Sequence, residues 1–387
     1  MESFEIMVMT AFGLEAVTAK ELRELGYEDL KLETGRILFQ GGYEAICEAN
    51  LWLRTADRVL IRIGSFKALS FTDLFEGTKS LPWDQWLPKE AEFPVVGKSV
   101  RSKLHSVPDC QSIVKKAIVE KLKEKHKISW FEETGPCYRI EIGMLKDEAT
   151  LSLDTTGVAL HKRGYRTKVS QAPLRETLAA AMVLLSGWKP GRTLLDPFCG
   201  SGTIPIEAAM IGMNRAPGIH RSFLAEEWTQ IPDSLWESSR KNAENMIKKE
   251  EFRVLGSDID QEVLKLARFH SAQAQVEDRV AFQKLPVAEV RSSKKYGYLI
   301  TNPPYGERMG EAKEIEKLYR EMGRVFQTLD TWSYYILSPQ PSFEEYFGRK
   351  ADKRRKLYNG MIACQLYQYY GPKPPHRGDR KRENKEA

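Results

Sequence analysis

The segment Tyr298-Leu299-Ile300-Thr301-Asn302-Pro303-Pro304-Tyr305-Gly306 carries the most specific chemistry in the chain. An apolar run ends in a corner whose backbone two prolines restrict. The Asn302 side-chain oxygen and the Pro303 carbonyl both accept hydrogen bonds, and Tyr305 offers a flat ring. Such a corner suits a planar base bearing an exocyclic amine: two acceptors grip the NH2 and the ring stacks. A proline-rich turn with a core tyrosine is the plainer alternative.

Upstream lies Leu194-Leu195-Asp196-Pro197-Phe198-Cys199-Gly200-Ser201-Gly202-Thr203. An apolar strand runs into an acid, then a two-glycine turn, then a helix. Gly200 and Gly202 let backbone approach a ligand closely, and Asp196 is an acceptor for a ligand ammonium. A dinucleotide fingerprint would require a third glycine, but Pro205 stands there. Between the two motifs, Val254-Leu255-Gly256-Ser257-Asp258-Ile259-Asp260 is a strand ending in an acid. Asp258 is placed to hold vicinal ribose hydroxyls, Ile259 to pack on an adenine face, and Asp260 to cap the next helix.

The elements that must position these motifs alternate. From residue 175 onward, strands are expected at 193–196, 253–257, 280–283, 298–301 and 332–337, with helices between and a final strand pair near 356–358 and 363–369. That alternation implies βαβ units and a parallel, doubly wound sheet. Ahead of it, strands at 4–9, 36–40 and 58–63 frame two helices in a small α/β or α+β unit. A second unit spans 65–155, with strands at 93–100, 138–144 and 149–154. Its helix, expected to start at an Asp109 cap, turns Ile113, Ala117, Ile118 and Leu122 inward and most of its lysines outward. The expected organisation is 1–64, 65–160, a linker at 161–173, a catalytic domain at 174–370 and a basic disordered tail at 371–387.

The 387 residues carry 59 Lys+Arg against 53 Asp+Glu, and 10% aromatic content excludes general disorder. The charge is uneven. Residues 61–170 hold 19 Lys/Arg against 14 acids, and residues 346–387 hold 12 against 4, whereas 171–345 hold 22 against 24. Two basic regions suggest a polyanionic partner, although solvated surface accounts for lysines equally well. The 349–356 cluster shares that ambiguity. Five scattered cysteines without a CxxC pair argue against a disulfide framework and a zinc site. His105, His161 and His270 show no metal-ligand spacing. The acidic N-terminus lacks a signal-peptide pattern, and the longest apolar run, at 178–185, is too short to span a bilayer. A cytoplasmic protein is expected, with no membrane and no metal; nothing sets its oligomeric state.

Taken in order, the three motifs resemble a class I S-adenosylmethionine-dependent methyltransferase of the amino-methylating kind. Ala172-Pro173-Leu174-Arg175-Glu176-Thr177-Leu178-Ala179-Ala180-Ala181 and Arg215-Ala216-Pro217-Gly218 are similar to the bacterial THUMP-domain methyltransferases of 23S ribosomal RNA guanine N2. Val96-Gly97-Lys98-Ser99-Val100-Arg101-Ser102-Lys103-Leu104 and its lysine-rich helix are similar to a THUMP RNA-binding domain. The resemblance implies an α/β chain in which a ferredoxin-like plus THUMP region precedes a Rossmann-like catalytic domain. It also implies S-adenosyl-L-methionine as cofactor and ribosomal RNA as partner.

By position, the resemblance implies that Asn302, Pro303 and Tyr305 hold the target base. Cofactor contacts would come from Thr177, Asp196, Gly200, Ser201, Gly202, Asp258, Ile259 and Asn302. RNA contacts would come from Lys98, Arg101, Lys103, Lys115 and Lys116. Pro286 stands where many relatives place an acid for the adenine amine. The corner itself does not separate guanine from adenine, because both present an exocyclic NH2. A non-catalytic RNA-binding factor remains a third alternative.

Overall fold

The computed structural model describes residues 3–127, 130–168, 174–305 and 312–375. Gly306, residues 169–173 and most of the expected tail lie outside the described residues. The chain divides into two compact units.

The first unit takes the chain up to Arg163 together with Ala216–Met246. Its elements are β1 (Phe4–Thr10), α1 (Glu15–Glu24), β2 (Lys31–Glu33), β3 (Arg36–Gly41), α2 (Tyr43–Trp52), β4 (Ala56–Lys67), α3 (Phe71–Lys79), α4 (Trp83–Trp86), β5 (Val95–Val100), α5 (Val107–His126), β6 (Ile140–Leu145) and β7 (Glu148–Asp154). They form one seven-stranded sheet in the order β2-β3-β1-β4-β7-β6-β5. The expected division at 64/65 falls inside β4. That strand pairs with β1 through Ala56–Ile61 and with β7 through Leu60–Lys67, so the two expected units share a ladder. β2 was not expected: a three-residue Lys-Leu-Glu strand has no periodicity to read, and only its pairing with β3 defines it.

α5 begins at Ser106, not at Asp109. Pro108 occupies the first turn, where its missing N–H costs nothing, and Asp109 sits one residue further in. Val114, Ala117, Ile118 and Leu122 are buried, while Ile113 is only half-buried. Residues 216–246 also pack here, although the sequence reading placed them in the catalytic domain. Phe223, Trp228 and Trp236 join the core of this unit, and Trp228 stacks on Tyr138 at 4.7 Å between ring centroids. α8 (Asp233–Asn245) belongs to this segment.

The second unit holds α6 (Glu176–Ser186), β8 (Leu194–Asp196), α7 (Thr203–Gly212), β9 (Val254–Asp258), α9 (Gln261–Gln273), β10 (Val280–Lys284), β11 (Tyr298–Thr301), α10 (Ala312–Phe326), β12 (Ser333–Ser338), α11 (Phe343–Phe347), β13 (Lys353–Asn359) and β14 (Ile362–Tyr369). Its sheet runs β10-β9-β8-β11-β12-β14-β13. The first five strands in that order are parallel, and β14 is antiparallel to both its neighbours. Counted from β8, the order is 3-2-1-4-5-7-6. β8 leads outward to β9 and β10, whereas β11 starts the opposite half. The β8/β11 boundary is therefore the topological switch point, where open α/β sheets bind ligands beyond the carboxyl ends of the strands. Residues 164–168, read as linker, are partly structural: Tyr165 is buried in this unit's core. Among the described residues no helix is long and apolar enough to cross a membrane.

Gly218 packs where a Cβ would lie 2.8 Å from the Asn50 carbonyl and 2.9 Å from Leu51 Cα. Backbone atoms cannot swing aside, so Gly218→Ala should cost about 1–3 kcal/mol through overpacking. Urea unfolding followed by tryptophan fluorescence checks this; an unchanged midpoint would refute the tight approach.

Candidate active site

Asp196 ends β8, and Thr301 ends β11. The two strands pair in parallel, Tyr298 beside Leu194 and Leu299 beside Leu195. The Thr301 hydroxyl donates to Asp196 Oδ1 at 2.6 Å, and the Phe198 N–H donates to the same oxygen at 3.1 Å. Both side chains are buried. Burial pushes the Asp196 carboxyl up to about 7; the Thr301 and Phe198 hydrogen bonds oppose the rise, and the nearby Asp258 carboxylate adds to it. The glycine turn and the target corner are thus joined by one buried hydrogen bond. Thr301 escaped the sequence reading because, within an apolar strand, it looks like one more β-branched residue.

The turn after Asp196 is stitched to β9. Cys199 N–H donates to the Ser257 carbonyl at 3.0 Å, Gly200 N–H to Asp258 Oδ2 at 3.0 Å, and Gly202 N–H to the Cys199 carbonyl at 2.8 Å. The other Asp258 oxygen accepts from Asp260 N–H at 3.0 Å, and Asp260 caps α9 by accepting from Glu262 N–H. Gly200 has φ +51° and Gly202 φ +87°. They differ in surroundings. A Cβ on Gly200 would meet nothing within 4 Å, whereas one on Gly202 would lie 2.9 Å from the Phe282 ring. Gly200 therefore faces open space and Gly202 faces the core. Ile259, next to Asp258, is 66% exposed despite being apolar.

Behind the turn, buried His270 has its Nδ1 3.1 Å from the Ser201 carbonyl. A carbonyl only accepts, so Nδ1 carries the proton, and burial lowers the ring's affinity for a second one. Ser201 is buried, as is Thr177 in the first turn of α6. Arg166 pairs with Glu176 at 3.3 Å and donates to the Leu174 carbonyl and the Thr203 hydroxyl. It ties the start of α6 to the start of α7. Having been read as linker, it gave no signal of this role.

At the corner, Asn302 Oδ1 is buried without a hydrogen-bond partner among the described residues. An orphaned acceptor costs about 1–3 kcal/mol and marks a place where a donor belongs. Tyr319 of α10 donates its hydroxyl to the Pro304 carbonyl at 3.0 Å and lies 3.2 Å from Ser338 Oγ. Asn359 of β13 donates to the Tyr305 oxygen at 3.2 Å. Pro303 is buried and Tyr305 half-buried. Tyr319 and Asn359 carry no sequence signal, since their contacts come from distant chain.

The proposed RNA-facing cations lie in the first unit and are unlike one another. Lys98, Arg101, Lys103 and Lys116 are exposed. Lys115 is engaged within the chain: its ammonium donates to Glu133 at 2.7 Å and to the Phe93 carbonyl at 3.0 Å, and lies 3.5 Å from the centre of the Phe93 ring. It tethers the 131–133 segment. Lys98 stands beside Met7, Met9 and Thr150 on the open sheet face. α5 packs on the other face, where Val107 approaches Gly97. Lys98 and the helix are therefore on opposite faces of the sheet. Among the described residues no three His, Cys, Asp or Glu side chains cluster as metal ligands.

Strand order and switch-point motifs together define a class I methyltransferase. Comparison with known proteins extends this. Residues 163–368 match the RMKL-like methyltransferase domain, residues 5–60 the RlmL ferredoxin-like domain, and residues 68–154 the THUMP domain. The chain is 48% identical over 380 residues to the Bacillus subtilis (strain 168) protein named "Putative RNA methyltransferase YpsC", covering 97% of this chain and 98% of that one. It is 34% identical over 379 residues to the ribosomal RNA large subunit methyltransferase K/L of Psychromonas ingrahamii, covering 95% of this chain and 50% of that longer protein.

Among solved structures, SMU.472, "a putative methyltransferase complexed with SAH", is 45% identical with a TM-score of 0.92, covering 97% and 100% of the two chains. The Listeria monocytogenes structure described as "a predicted N6-adenine-specific DNA methylase" is 49% identical with a TM-score of 0.92, covering 96% and 97%. The chain belongs to the RMKL-like methyltransferase family and is S-adenosylmethionine-dependent. The open space before Gly200, the exposed Ile259 and the acids Asp196 and Asp258 fit that cofactor.

The two glycines should separate by experiment. Gly202→Ala should lower stability by about 1–3 kcal/mol, because φ is left-handed and Phe282 is in the way. Gly200→Ala should cost only about 1 kcal/mol in stability but weaken S-adenosylhomocysteine binding, its methyl entering the open space. Thermal unfolding and titration calorimetry read both. Equal effects of the two substitutions on binding would contradict this division.

Proposed function

We propose that this chain methylates the exocyclic N2 amine of a guanine in large-subunit ribosomal RNA. The orphaned Asn302 Oδ1 at the carboxyl end of β11 carries the reading. It is an acceptor held ready beside a half-buried tyrosine, at the sheet position where a class I methyltransferase presents its methyl. The name of the K/L relative supports ribosomal RNA as substrate class, and the THUMP region supports RNA in general.

Bound at the glycine turn, S-adenosylmethionine supplies a methyl activated by its sulfonium. In the proposed arrangement Asp196 meets the cofactor's ammonium, Gly200 and Gly202 its amino-acid part, and Asp258 its ribose hydroxyls. Ile259 packs against its adenine, with Thr177 and Ser201 lining the site. A nucleobase amine is a poor nucleophile because its lone pair is delocalised into the ring. Accepting its hydrogens at Asn302 Oδ1 and the Pro303 carbonyl favours a pyramidal, more nucleophilic nitrogen. Holding nitrogen and methyl in line supplies about 7–11 kcal/mol of the barrier reduction. The base must leave its stack to arrive there, and stacking on Tyr305 returns about 1–3 kcal/mol.

Asn302→Ala should lower methyl transfer by about a hundredfold or more, the scale seen when one preorganised polar contact is removed, while S-adenosylhomocysteine still binds. The assay is radiolabelled methyl transfer to undermodified ribosomal RNA with nuclease mapping. Label in guanine N2 supports the reading. Label in adenine replaces it with the N6 alternative that the Listeria name suggests, and tight RNA binding without label leaves a non-catalytic factor.

Asp196 sets the pH dependence. Below about 7 its carboxyl holds a proton, which a ligand ammonium must displace. Affinity for S-adenosylhomocysteine should therefore rise as pH increases from 6 to 7 and level off by 8, up to about tenfold per unit. Asp196→Asn should bind more weakly with a flat profile. A steep profile in that variant would assign the titration to another group.

A further inference from the structure

α10 follows the target corner and presents two unlike faces. Ile315, Tyr319, Met322 and Phe326 are buried in the core. Lys313, Lys317, Arg320 and Arg324 recur at the same helical spacing on the exposed side. At 1.5 Å per residue the four cations span about 16 Å in one stripe. They line a groove of about 700 Å³ whose opposite wall is Tyr346, Phe347 and Gly348 at the end of α11.

Two observations show that this groove is built. Gly323 lets the helices approach until a Cβ would lie 2.0 Å from the Phe347 carbonyl, which brings the α11 wall against α10. The guanidinium of Arg320 lies 5.7 Å from the Tyr346 ring centre, so an aromatic face and a cation share the groove. The single acid in the lining, Glu316, is paired with Arg320 at 2.8 Å. Lys313, Lys317 and Arg324 have no ion pair among the described residues. Beyond Gly348 the chain continues into exposed Arg349 and Lys350.

We propose that this groove holds the phosphate backbone of the RNA strand flanking the target nucleotide; the inference rests on the RNA reading above. A small anion meets only two of the cations, whereas a polynucleotide strand meets the whole row. Tyr319, on the buried face of the same helix, hydrogen-bonds the Pro304 carbonyl. One helix therefore carries the groove on its exposed face and a contact to the corner on its buried face.

The test compares the full-length chain with Lys317→Ser/Arg324→Ser, neither residue belonging to the methyl-transfer corner. Binding of a single-stranded RNA of about 20 nucleotides is followed by fluorescence anisotropy across a salt series. Each phosphate contact contributes about 0.7 to the slope of log affinity against log salt for single strands, so the double variant should lose about 1.4. Lys317→Arg/Arg324→Lys should keep the slope, and S-adenosylhomocysteine affinity should stay constant throughout. Removing two exposed cations elsewhere, Lys241→Ser/Lys249→Ser, should leave the slope unaltered. An unchanged slope in the groove variant, with methyl transfer to RNA intact in the unaltered chain, overturns the groove and spares the function. A lowered slope without any methyl transfer to RNA supports the groove and overturns the function. Failure of the unaltered chain to bind RNA overturns both.

Discussion

The catalytic unit depends on one buried hydrogen bond, from the Thr301 hydroxyl to Asp196. It joins the ends of two strands whose connections run to opposite halves of the sheet. In the proposed site the cofactor turn hangs from one strand and the target corner from the other. In-line transfer requires the two to keep their separation, and a buried side-chain bond at the ends of two paired strands holds them more firmly than a contact between exposed loops would. The buried carboxyl also holds its proton up to about 7. Burial is what raises that carboxyl, and the Thr301 bond opposes the rise.

Around that bond the unit is braced from three sides. His270 supports the Ser201 carbonyl from behind, Arg166 ties the starts of α6 and α7, and Tyr319 and Asn359 hold the corner through Pro304 and Tyr305. None of these groups is placed to react. Each fixes a backbone segment or ring whose orientation the chemistry needs, as expected where positioning rather than acid–base catalysis supplies most of the rate. The open features are equally localised: the space before Gly200, the exposed Ile259 and the Asn302 oxygen, which has no partner among the described residues. A braced frame around unsatisfied groups is a preorganised site.

The first unit shows how net charge misleads. The basic excess of residues 61–170 includes Lys115, which pairs with Glu133 and lies over the Phe93 ring, and lysines 79 and 123, which pair with Glu124 and Glu120. Conversely, the 171–345 segment has slightly more acids than bases yet contains the four-cation stripe of α10. Polyanion binding depends on unpaired charge sharing one surface, and pairing and surface are both tertiary properties.

By itself the sequence determined the chemistry class. Asp196, Gly200, Gly202, Asp258 and the corner at 302–305 are contiguous or locally spaced, and their demands on backbone and polarity are met within a few residues. It also determined the strand–helix alternation, because periodicity is a local property. Tertiary structure alone decided which ends meet. The Thr301 bond, the merging of two expected units through β4, the burial of Trp228 in the first unit and the capture of Lys115 all join residues far apart in the chain. Those contacts are selected by shape and desolvation in the folded state, and no local pattern encodes them.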